Sequence, residues 1–573
     1  MLVPLSPIDN AVADMGITCG YLFARPVGAT SDDAGTALLA GLEAATQRVV
    51  AKWPLLQGEA VWQKEKGIWA VDVPDEPLTT TRPFLFSSTR IAKPYAKAAS
   101  LPAPLEPLDR TSSPCAFQPA HKLSFFRSPV LPTTFSAYAK SHASFLAVHA
   151  TLFADVVAVG LTAPHGLVDA TGLGWAVRAL GAELHGEAWD VPPLAMDAQG
   201  DNVLGAGLEA IKKGGPERSR VSELDGAASA LEDDDVDSSA AKHALAGWVS
   251  ASSLKNVACF LTNYVWEKLR HHDEPRHVFL SRRAVDSLVE SVKAEVRRET
   301  GGKEWVSTGD VLTAWALKAV HADEATSHTA AAVSPVFALR DLLSLPSYPH
   351  NAVAPYPFSP SPLALSTLAA TPLAELALTH RRSLDTARTR PFLRATLRRM
   401  DELAWSNGGQ VPIMPARAWP WSLWWAGAVG VRRRRSKKGG KAGEEEDGVE
   451  AAPPSHHWIV SNQMVSGLAD LTLPASLFDV PTSSASAPRS KASSASSSSS
   501  TTSSPADLPL LAFYVRITAP IKDHQAFRFQ VNSEGVFLEG SMRRKRWRAL
   551  GTAVERLERE FGHEKAAALV GEK

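Results

Sequence analysis

The sequence predicts a mixed α/β protein, built either as two domains or as one large two-lobed domain. Its 573 residues are 45% hydrophobic, which is too long a chain for one ordinary core. Short β-branched runs alternate with longer segments of helical periodicity. A polar stretch at 190–243 lacks any period and separates the halves. We therefore expect an N-terminal lobe at 1–215, a connector with a crossover helix at 216–275, and a C-terminal lobe at 276–573.

The sequence of the N-terminal half predicts a lobe that contains both strands and helices. Its regular elements are a strand at 20–24, a helix at 32–52, a hairpin at 55–73, strands at 144–153 and 155–163, and a helix at 172–184. Asp32 and Asp33 suit the N-terminus of the first long helix. The histidine of the first paired strand, His149, is interpreted as a packed core residue. The proline-rich stretch at 75–135 predicts an irregular surface segment.

The C-terminal half predicts a second lobe of the same kind. Its expected elements are helices at 254–269, 283–300, 307–322 and 544–561, a helix-rich region at 363–404, and strands at 278–280, 333–339, 510–519 and 525–531. Ser307 and Asp310 fit the N-terminal capping of their helix. The many arginines of 363–404 are expected on the outer face of its helices.

The charge balance points to a small-molecule partner. The chain has 60 basic and 60 acidic side chains, whereas nucleic acids and anionic membranes require a large basic excess on one face. The three cysteines are far apart and form no C-x-x-C pair, so neither a disulfide framework nor a structural zinc site is expected. The first residues lack the features of a secretion signal, which predicts a cytoplasmic protein.

Three segments of the second half stand apart from the expected lobe. The tryptophan-rich run at 418–431 is shorter than the roughly 20 residues that cross a bilayer, so no integral membrane span is expected. It reads as an interfacial anchor or as a core segment that leads into a charged loop, and Pro420 favours the second interpretation. The low-complexity inserts at 432–454 and 482–505 are expected to be disordered.

One His-x-x-x-Asp spacing, His165 to Asp169, lies between the strand at 155–163 and the helix at 172–184. A spacing of this kind is expected about once by chance in a chain with 17 histidines. Its position is more informative, because a histidine at the end of a buried strand is held in place as a catalytic base requires. The spacing alone does not decide between chance and function.

Four separated segments together resemble one family. They are LSPIDNA at 5–11, HGLVD at 165–169, STGDVLTAW at 307–315, and the stretch 340–353, which joins Arg340 to Asn351-Ala352-Val353. These segments resemble the BAHD acyltransferases, which share a fold with carnitine and chloramphenicol acetyltransferases and with peptide-synthetase condensation domains. The family's Asp-Phe-Gly-Trp-Gly stretch would fall near Asp470, where the chain reads ADLT. This departure resembles a divergent, fungal-type branch.

The resemblance implies a fold and a reaction. The fold would have two chloramphenicol acetyltransferase-like lobes, each a mixed β-sheet flanked by helices, with a channel between them. The reaction would transfer an acyl group from acyl-CoA, as co-substrate, to a hydroxyl or amine of a small, secondary-metabolite-like acceptor. Such an enzyme would act as a monomer, with no bound cofactor and no metal.

The resemblance also implies roles for individual residues. His165 would be the general base, since imidazole titrates near neutrality. Asp169 could orient the imidazole directly or hold the turn by pairing with an arginine, and the resemblance favours the second role, with Arg340 as partner. The expected oxyanion donor is Ser461 or Asn462, with a surface polar residue as the alternative for each. The residues expected to contact substrate are Asn351 and Asp470.

A non-catalytic interpretation remains open beside the enzyme. A two-lobed binding or regulatory protein could retain the fold, and the missing glycine and aromatic residues near Asp470 favour that alternative. Other enzyme classes leave no pattern, because the chain has no G-x-S-x-G, no phosphate-binding G-x-x-x-x-G-K-[ST] and no H-E-x-x-H. Gly172-Leu173-Gly174 is too short for a dinucleotide site.

Overall fold

The computed structural model describes most of both predicted lobes. The described residues are 1–26, 32–76, 78, 80, 82–101, 104–105, 116–119, 121–213, 245, 248–250, 252–270, 273–324, 329–360, 362–406, 409–410, 413–415, 456–478, 507–518 and 525–562. The tryptophan-rich run at 418–431, the inserts at 432–454 and 482–505, and the acidic part of the connector lie outside them.

The structure describes 20 strands and 13 α-helices in the residues given above. The strands are β1 (Leu2–Pro4), β2 (Gly16–Ala24), β3 (Glu59–Gln63), β4 (Ile68–Asp72), β5 (Phe86–Arg90), β6 (Ala116–Pro119), β7 (Ala147–Leu152), β8 (Val156–Pro164), β9 (Trp248–Ser250), β10 (Asp273–Ser281), β11 (Ala330–Ala338), β12 (Val353–Pro355), β13 (Leu363–Ala364), β14 (Trp405–Ser406), β15 (Gly409–Gln410), β16 (Ile413–Pro415), β17 (His456–Asn462), β18 (Leu510–Thr518), β19 (Gln525–Val531) and β20 (Gly535–Arg543). The helices are α1 (Pro7–Ala11), α2 (Asp32–Lys52), α3 (Tyr95–Ala99), α4 (Phe135–Ser141), α5 (Ala170–His185), α6 (Val203–Lys213), α7 (Leu254–Arg270), α8 (Arg282–Thr300), α9 (Thr308–Val320), α10 (Leu365–Ala370), α11 (Leu373–Ala387), α12 (Arg390–Ala404) and α13 (Arg544–Gly562).

The N-terminal lobe is organised around a sheet in the order β18-β2-β8-β7-β5. Its central strands β2, β8 and β7 are antiparallel neighbours, and β5 runs parallel to β7. Every residue of β7 and β8 is buried, because helices α2 and α5 pack on one face of the sheet and an aromatic cluster packs on the other. The sheet thus holds the end of β8, where His165 follows, in a rigid position.

The C-terminal lobe contains a larger mixed sheet in the order β12-β11-β17-β19-β20-β10-β6, with β13 paired to β11. β17 runs parallel to both β11 and β19, whereas the other pairs are antiparallel. One face of the sheet packs against α8, α9 and α13 in a second core. Its other face is directed at the N-terminal lobe, since Phe537 of β20 belongs to the core of that lobe.

The two sheets exchange strands. β18 comes from the C-terminal end of the chain and pairs with β2 of the N-terminal lobe. β6 comes from the N-terminal half and pairs with β10 of the C-terminal lobe. The mixed α/β, two-lobed architecture is confirmed. The domain boundaries expected at 215 and 276 stay a prediction.

Several elements begin and end where their sequence indicates. α9 carries the expected capping box, in which the Ser307 hydroxyl accepts from the Asp310 N–H and the Asp310 carboxylate accepts from the Ser307 N–H. α8 ends at Gly301, whose left-handed φ of 61° suits a residue without a side chain. Val285, Leu288, Val289, Val292 and Val296, which recur at helical spacing in α8, are all buried. His149 is buried as expected and bonds Ser87.

The prediction of an irregular surface segment at 75–135 is wrong. This stretch supplies β5, α3 and β6, and Tyr95, Phe125 and Phe126 are buried beneath the N-terminal sheet. Both strands are short and lie at sheet edges, so their pairing depends on distant residues and leaves no local period. Proline frequency therefore predicted loops where edge strands occur.

Two expectations for the C-terminal half also change. Arg381 of α11 is buried, not on the outer face, because it forms an ion pair with Asp310. The connector helix α7 forms over 254–270, close to the predicted 254–269, but Leu261, Val265 and Leu269 on it are exposed. Among the described residues, no helix is both long enough and apolar enough to cross a membrane.

Candidate active site

His165 occupies the turn that joins β8 to α5. Its backbone N–H donates to the Met15 carbonyl at 2.8 Å, and its carbonyl accepts from the Asn351 side-chain amide at 2.6 Å. Met15 precedes β2 in the N-terminal lobe, whereas Asn351 precedes β12 in the C-terminal lobe. The backbone of His165 is therefore fixed by both lobes at their boundary.

The imidazole is held in one tautomer. Its Nδ1 lies 3.1 Å from the Val168 carbonyl oxygen, which can only accept, so Nδ1 carries the proton. Nε2 is then the unprotonated nitrogen, and it has no hydrogen-bond partner among the described residues. Burial lowers the pKa of His165 below its ordinary value, and the charge of Arg528 lowers it further, while Asp169 and the bond to Val168 act in the opposite direction. The half-buried ring is thus a neutral base at neutral pH.

Asp169 contacts an arginine and backbone amides, not the imidazole. The Arg340 guanidinium grips its carboxylate with two bonds of 2.8 Å, and both side chains are 5% exposed. The same carboxylate caps α5 by accepting from the N–H groups of Thr171 and Gly172 at 3.0 Å. Of the two roles considered for Asp169, the geometry matches the one that holds the turn.

Arg340 also bonds the segment 348–350, which lies against the turn. Its remaining donors reach the carbonyl oxygens of Tyr348 at 3.0 Å and His350 at 2.7 Å. The Nδ1 of His350 donates in turn to the Leu167 carbonyl at 2.8 Å. The segment 348–350 is therefore tied to the turn on both sides of the buried ion pair.

Asn351 supports the site rather than facing an open space. Its backbone and side-chain N–H groups both donate to Asp9 Oδ1 at 2.8 Å, and its side chain also holds the His165 carbonyl. Asp9 is fully buried in the capping box of α1, and burial raises its pKa. The matched segment 5–11 thus contains a short capped helix that anchors the turn carrying His165. A direct contact of Asn351 with substrate stays a prediction.

The glycines of α5 allow the close approach of the C-terminal lobe. A Cβ on Gly172 would overlap the Pro349 carbonyl, and one on Gly174 would overlap the Ser466 carbonyl. Only glycine fits between α5 and these two loops. The Gly172-Leu173-Gly174 pattern therefore serves helix packing at the lobe boundary.

Ser461 and Asn462 end strand β17 but differ in their surroundings. Ser461 accepts from the Gln463 amide at 3.0 Å, which leaves its own O–H free to donate. Asn462 is exposed, and its oxygen accepts from the Met464 N–H at 3.2 Å. No described bond joins either side chain to His165, so their role as oxyanion donors stays a prediction.

Asp470 lies in the wall of a cleft beside α5. The cleft has a volume of about 710 Å³, and its walls include Trp175, Arg178, Trp189 and Asp470. Burial raises the pKa of Asp470, and the Arg178 charge opposes this. His165 is not among the residues that line the cleft. The structure therefore does not bring Asp470 together with the other expected site residues.

The sequence reasoning did not single out Asp9, His350 or Arg528. Asp9 stands inside the matched LSPIDNA segment, and His350 directly precedes the matched Asn351, so both were within reach. Arg528 carries no motif. Its only signal is the alternation Phe527-Arg528-Phe529, in which a charged residue interrupts a strand whose apolar side chains are buried.

Comparison with known proteins places this geometry in context. Acetyltransferase BOT5 of Botryotinia fuckeliana is 28% identical over 255 residues, which are 44% of this chain and 40% of that protein. The chain thus matches less than half the length of this curated relative. No family model matches the chain.

Solved structures match nearly the whole chain at low identity. TRI101 of F. graminearum, complexed with coenzyme A and deoxynivalenol, has a TM-score of 0.56 at 11% identity and covers 96% of this chain and 97% of its own. TRI101 of F. sporotrichioides, complexed with coenzyme A and T-2, has a TM-score of 0.53 at 14% identity with the same coverage. The chloramphenicol acetyltransferase-like fold expected from the sequence is confirmed, and in fold the chain is similar to the BAHD-type acyltransferases that its motifs resemble.

Proposed function

We propose that the protein transfers an acyl group from acyl-CoA to a hydroxyl or amine of a small-molecule acceptor, with His165 as the general base. The observation that carries this proposal is the imidazole of His165, which is fixed through Nδ1 at the boundary of two lobes and keeps Nε2 free. The similarity to an acetyltransferase and to coenzyme A complexes of the same fold supports it.

The proposed reaction passes through one tetrahedral intermediate. The acceptor's O–H or N–H gives its proton to His165 Nε2 while its lone pair attacks the thioester carbonyl carbon. The carbonyl oxygen becomes an oxyanion, and its collapse breaks the carbon–sulfur bond. The proton on Nε2 then passes to the departing thiolate, so CoA leaves as the free thiol and the imidazole is neutral again. No acyl-enzyme is needed.

Asp169 and Arg340 serve this reaction indirectly in our proposal. Their buried pair fixes the turn and the first residues of α5, while the Val168 carbonyl sets the tautomer of His165. Catalysis then needs no charge relay through Asp169. The choice between oxygen and nitrogen acceptors, the monomeric state and the cytoplasmic location stay predictions.

Thiol release from acyl-CoA tests the proposal directly. The full-length protein is incubated with acetyl-CoA and a panel of small alcohols and amines, and free CoA is measured with a thiol reagent while acylated products are identified by mass spectrometry. We expect acceptor-dependent thiol release matched by one acylated product per CoA. Binding of CoA or of a panel compound without turnover would instead favour the non-catalytic two-lobed protein.

A further inference from the structure

Arg528 faces the lobe boundary from the C-terminal sheet. On β19 its neighbours Phe527 and Phe529 are fully buried in the core beneath that sheet, so Arg528 lies on the opposite face. Its register partners are Ser461 on β17 and Glu539 on β20. Three polar side chains from adjacent strands thus form a row on the face directed at the N-terminal lobe.

Glu539 links this row to the N-terminal lobe. One of its carboxylate oxygens accepts from the Val515 N–H of β18 at 2.8 Å, and the other lies 3.5 Å from Arg528 Nη1. Three residues along β18, Thr518 pairs with Gly16, and Gly16 pairs with Pro164, the residue before His165. Arg528 and His165 therefore belong to the same stretch of the boundary.

The guanidinium of Arg528 has N–H donors that no described residue accepts. Its described contact is the single 3.5 Å approach to Glu539, although an arginine carries five N–H donors. Its side chain is 13% exposed, so it is largely shielded from water, and the described residues do not pair with all of its donors. Its charge also reaches His165, since it lowers the pKa of that imidazole. Arg528 is therefore a cation with donors to spare near His165, and it is suited to stabilise a negative charge that forms beside that imidazole.

We propose that Arg528 is a further catalytic residue, whose guanidinium donates to the oxyanion that forms when the acceptor attacks the acyl thioester. This inference rests on the proposed acyl transfer. As the acceptor's lone pair forms the new bond, the carbonyl electron pair moves to oxygen and is held by Arg528, with the Ser461 hydroxyl on the same face as a second donor. The pair returns when the carbon–sulfur bond breaks.

The charge of Arg528 suits both stages of this step. Before attack it disfavours the protonated imidazole and keeps His165 a base. During attack the negative charge that develops on the oxyanion is stabilised by a donor already in place, which costs no reorganisation. Glu539 is in turn held by Val515, so it positions Arg528 without satisfying all its donors.

The test compares variants of the full chain on an acceptor that the wild type acylates. The variants are Arg528→Gln, which removes the charge, and Arg528→Lys, which keeps it. Arg282→Gln is the control, because it removes the charge of an exposed arginine that pairs with Asp286 on α8. We expect Arg528→Gln to lower kcat by about 100- to 1,000-fold, the range for loss of one oxyanion donor, with little change in KM for either substrate. Arg528→Lys should be intermediate, and Arg282→Gln should remain near wild type.

A pH profile and a second variant keep the inference open to refutation. Loss of the Arg528 charge should move the acid limb of kcat/KM to higher pH, which a merely structural role would not do. Because Arg528→Gln also removes one partner of Glu539, the double variant Arg528→Gln/Glu539→Gln is included, and it should fold yet keep the low kcat. Circular dichroism and thermal unfolding check the fold of each variant.

Two results would overturn the role of Arg528. One is a kcat within a few-fold of wild type in either the single or the double variant. The other is a loss confined to the KM of anionic acceptors, which would make Arg528 a ground-state anion site. A wild type that is inactive on the whole panel would count against the proposed function itself, whereas an active wild type with an active Arg528→Gln counts against Arg528 alone.

Discussion

Two arginines of the C-terminal lobe, Arg340 and Arg528, lie at the lobe boundary and are held very differently. Arg340 makes two bonds of 2.8 Å to Asp169 and two more to backbone carbonyls. Arg528 makes one approach of 3.5 Å to Glu539. A fully bonded cation fixes structure, whereas a cation with free donors can respond to a charge that forms during a reaction.

The difference divides the boundary into a supporting region and a reacting region. The supporting region contains Asp9, Asp169, Arg340 and Asn351, which are all buried and bonded to one another or to the turn. In our proposal, the reacting region contains Nε2 of His165 and the donors of Arg528 that no described residue engages. Changes in the first region should therefore affect stability first, and changes in the second should affect turnover first.

The largest effect on stability should come from breaking the buried ion pair. Arg340→Met leaves Asp169 uncompensated and should lower the free energy of unfolding by about 3–5 kcal/mol, measured by urea denaturation. Asp169→Asn should likewise lower folded yield as much as turnover. Arg48→Met, which removes an exposed partner of Glu183, should cost about 1 kcal/mol or less. A stable but inactive Asp169→Asn protein would assign Asp169 to the chemistry instead.

A smaller loss should follow from Asn351→Ala. This change removes the side-chain bonds to Asp9 and to the His165 carbonyl, and a buried acceptor left without its donor costs about 1–3 kcal/mol. Denaturation should show that loss, and kcat should fall because the turn is less well held. Asn256→Ala on the connector helix is a control with a partly exposed side chain. An increase in acceptor KM with unchanged stability would make Asn351 a substrate contact.

Substitutions of Ser461 and Asn462, the last two residues of β17, should differ clearly in their effect on kcat. Ser461→Ala removes a hydroxyl beside Arg528 and should lower kcat by roughly tenfold, less than the loss of a principal oxyanion donor. Asn462→Ala should leave kcat nearly unchanged, because its amide is exposed and engaged with Met464. Steady-state kinetics on one acceptor measures both. The reverse order would move the oxyanion site from the Arg528 row to Asn462.

The smallest effect concerns pH. Because burial and Arg528 lower the pKa of His165, the imidazole stays neutral to a lower pH than a free histidine. The acid limb of kcat/KM should therefore lie below the ordinary histidine pKa of about 6.5, and activity should be lost as pH falls through the lowered value. A limb at or above that pH would indicate that another group, or an uncompensated carboxylate, sets the protonation of the base.

Sequence patterns predicted the elements whose causes are local. The capping box of Ser307 and Asp310, the apolar face of α8 and the paired strands β7 and β8 depend on neighbouring residues, so their periods and caps were readable. The resemblance joined His165, Asp169 and Arg340 across 175 positions, which no period could do. The contact between Asp169 and Arg340 is a property of the fold.

The rest depended on distant pairing. β5 and β6 are edge strands in a proline-rich stretch, and β18 joins the N-terminal sheet from the far end of the chain. No sequence pattern indicated that Arg381 would be buried in an ion pair with Asp310. Arg528 gave only the alternation of one strand, and its place in a row with Ser461 and Glu539 follows from the register of three strands rather than from any motif.

The central claim is that His165 is the base of an acyl transfer, and one comparison tests it most directly. Wild type and His165→Ala are assayed for CoA release and acylated product with the same acyl-CoA and acceptor, after thermal unfolding shows both to be folded. We predict that His165→Ala keeps its fold and loses transfer by about 100- to 10,000-fold, the contribution of a general base. A folded His165→Ala protein with wild-type turnover would contradict the account.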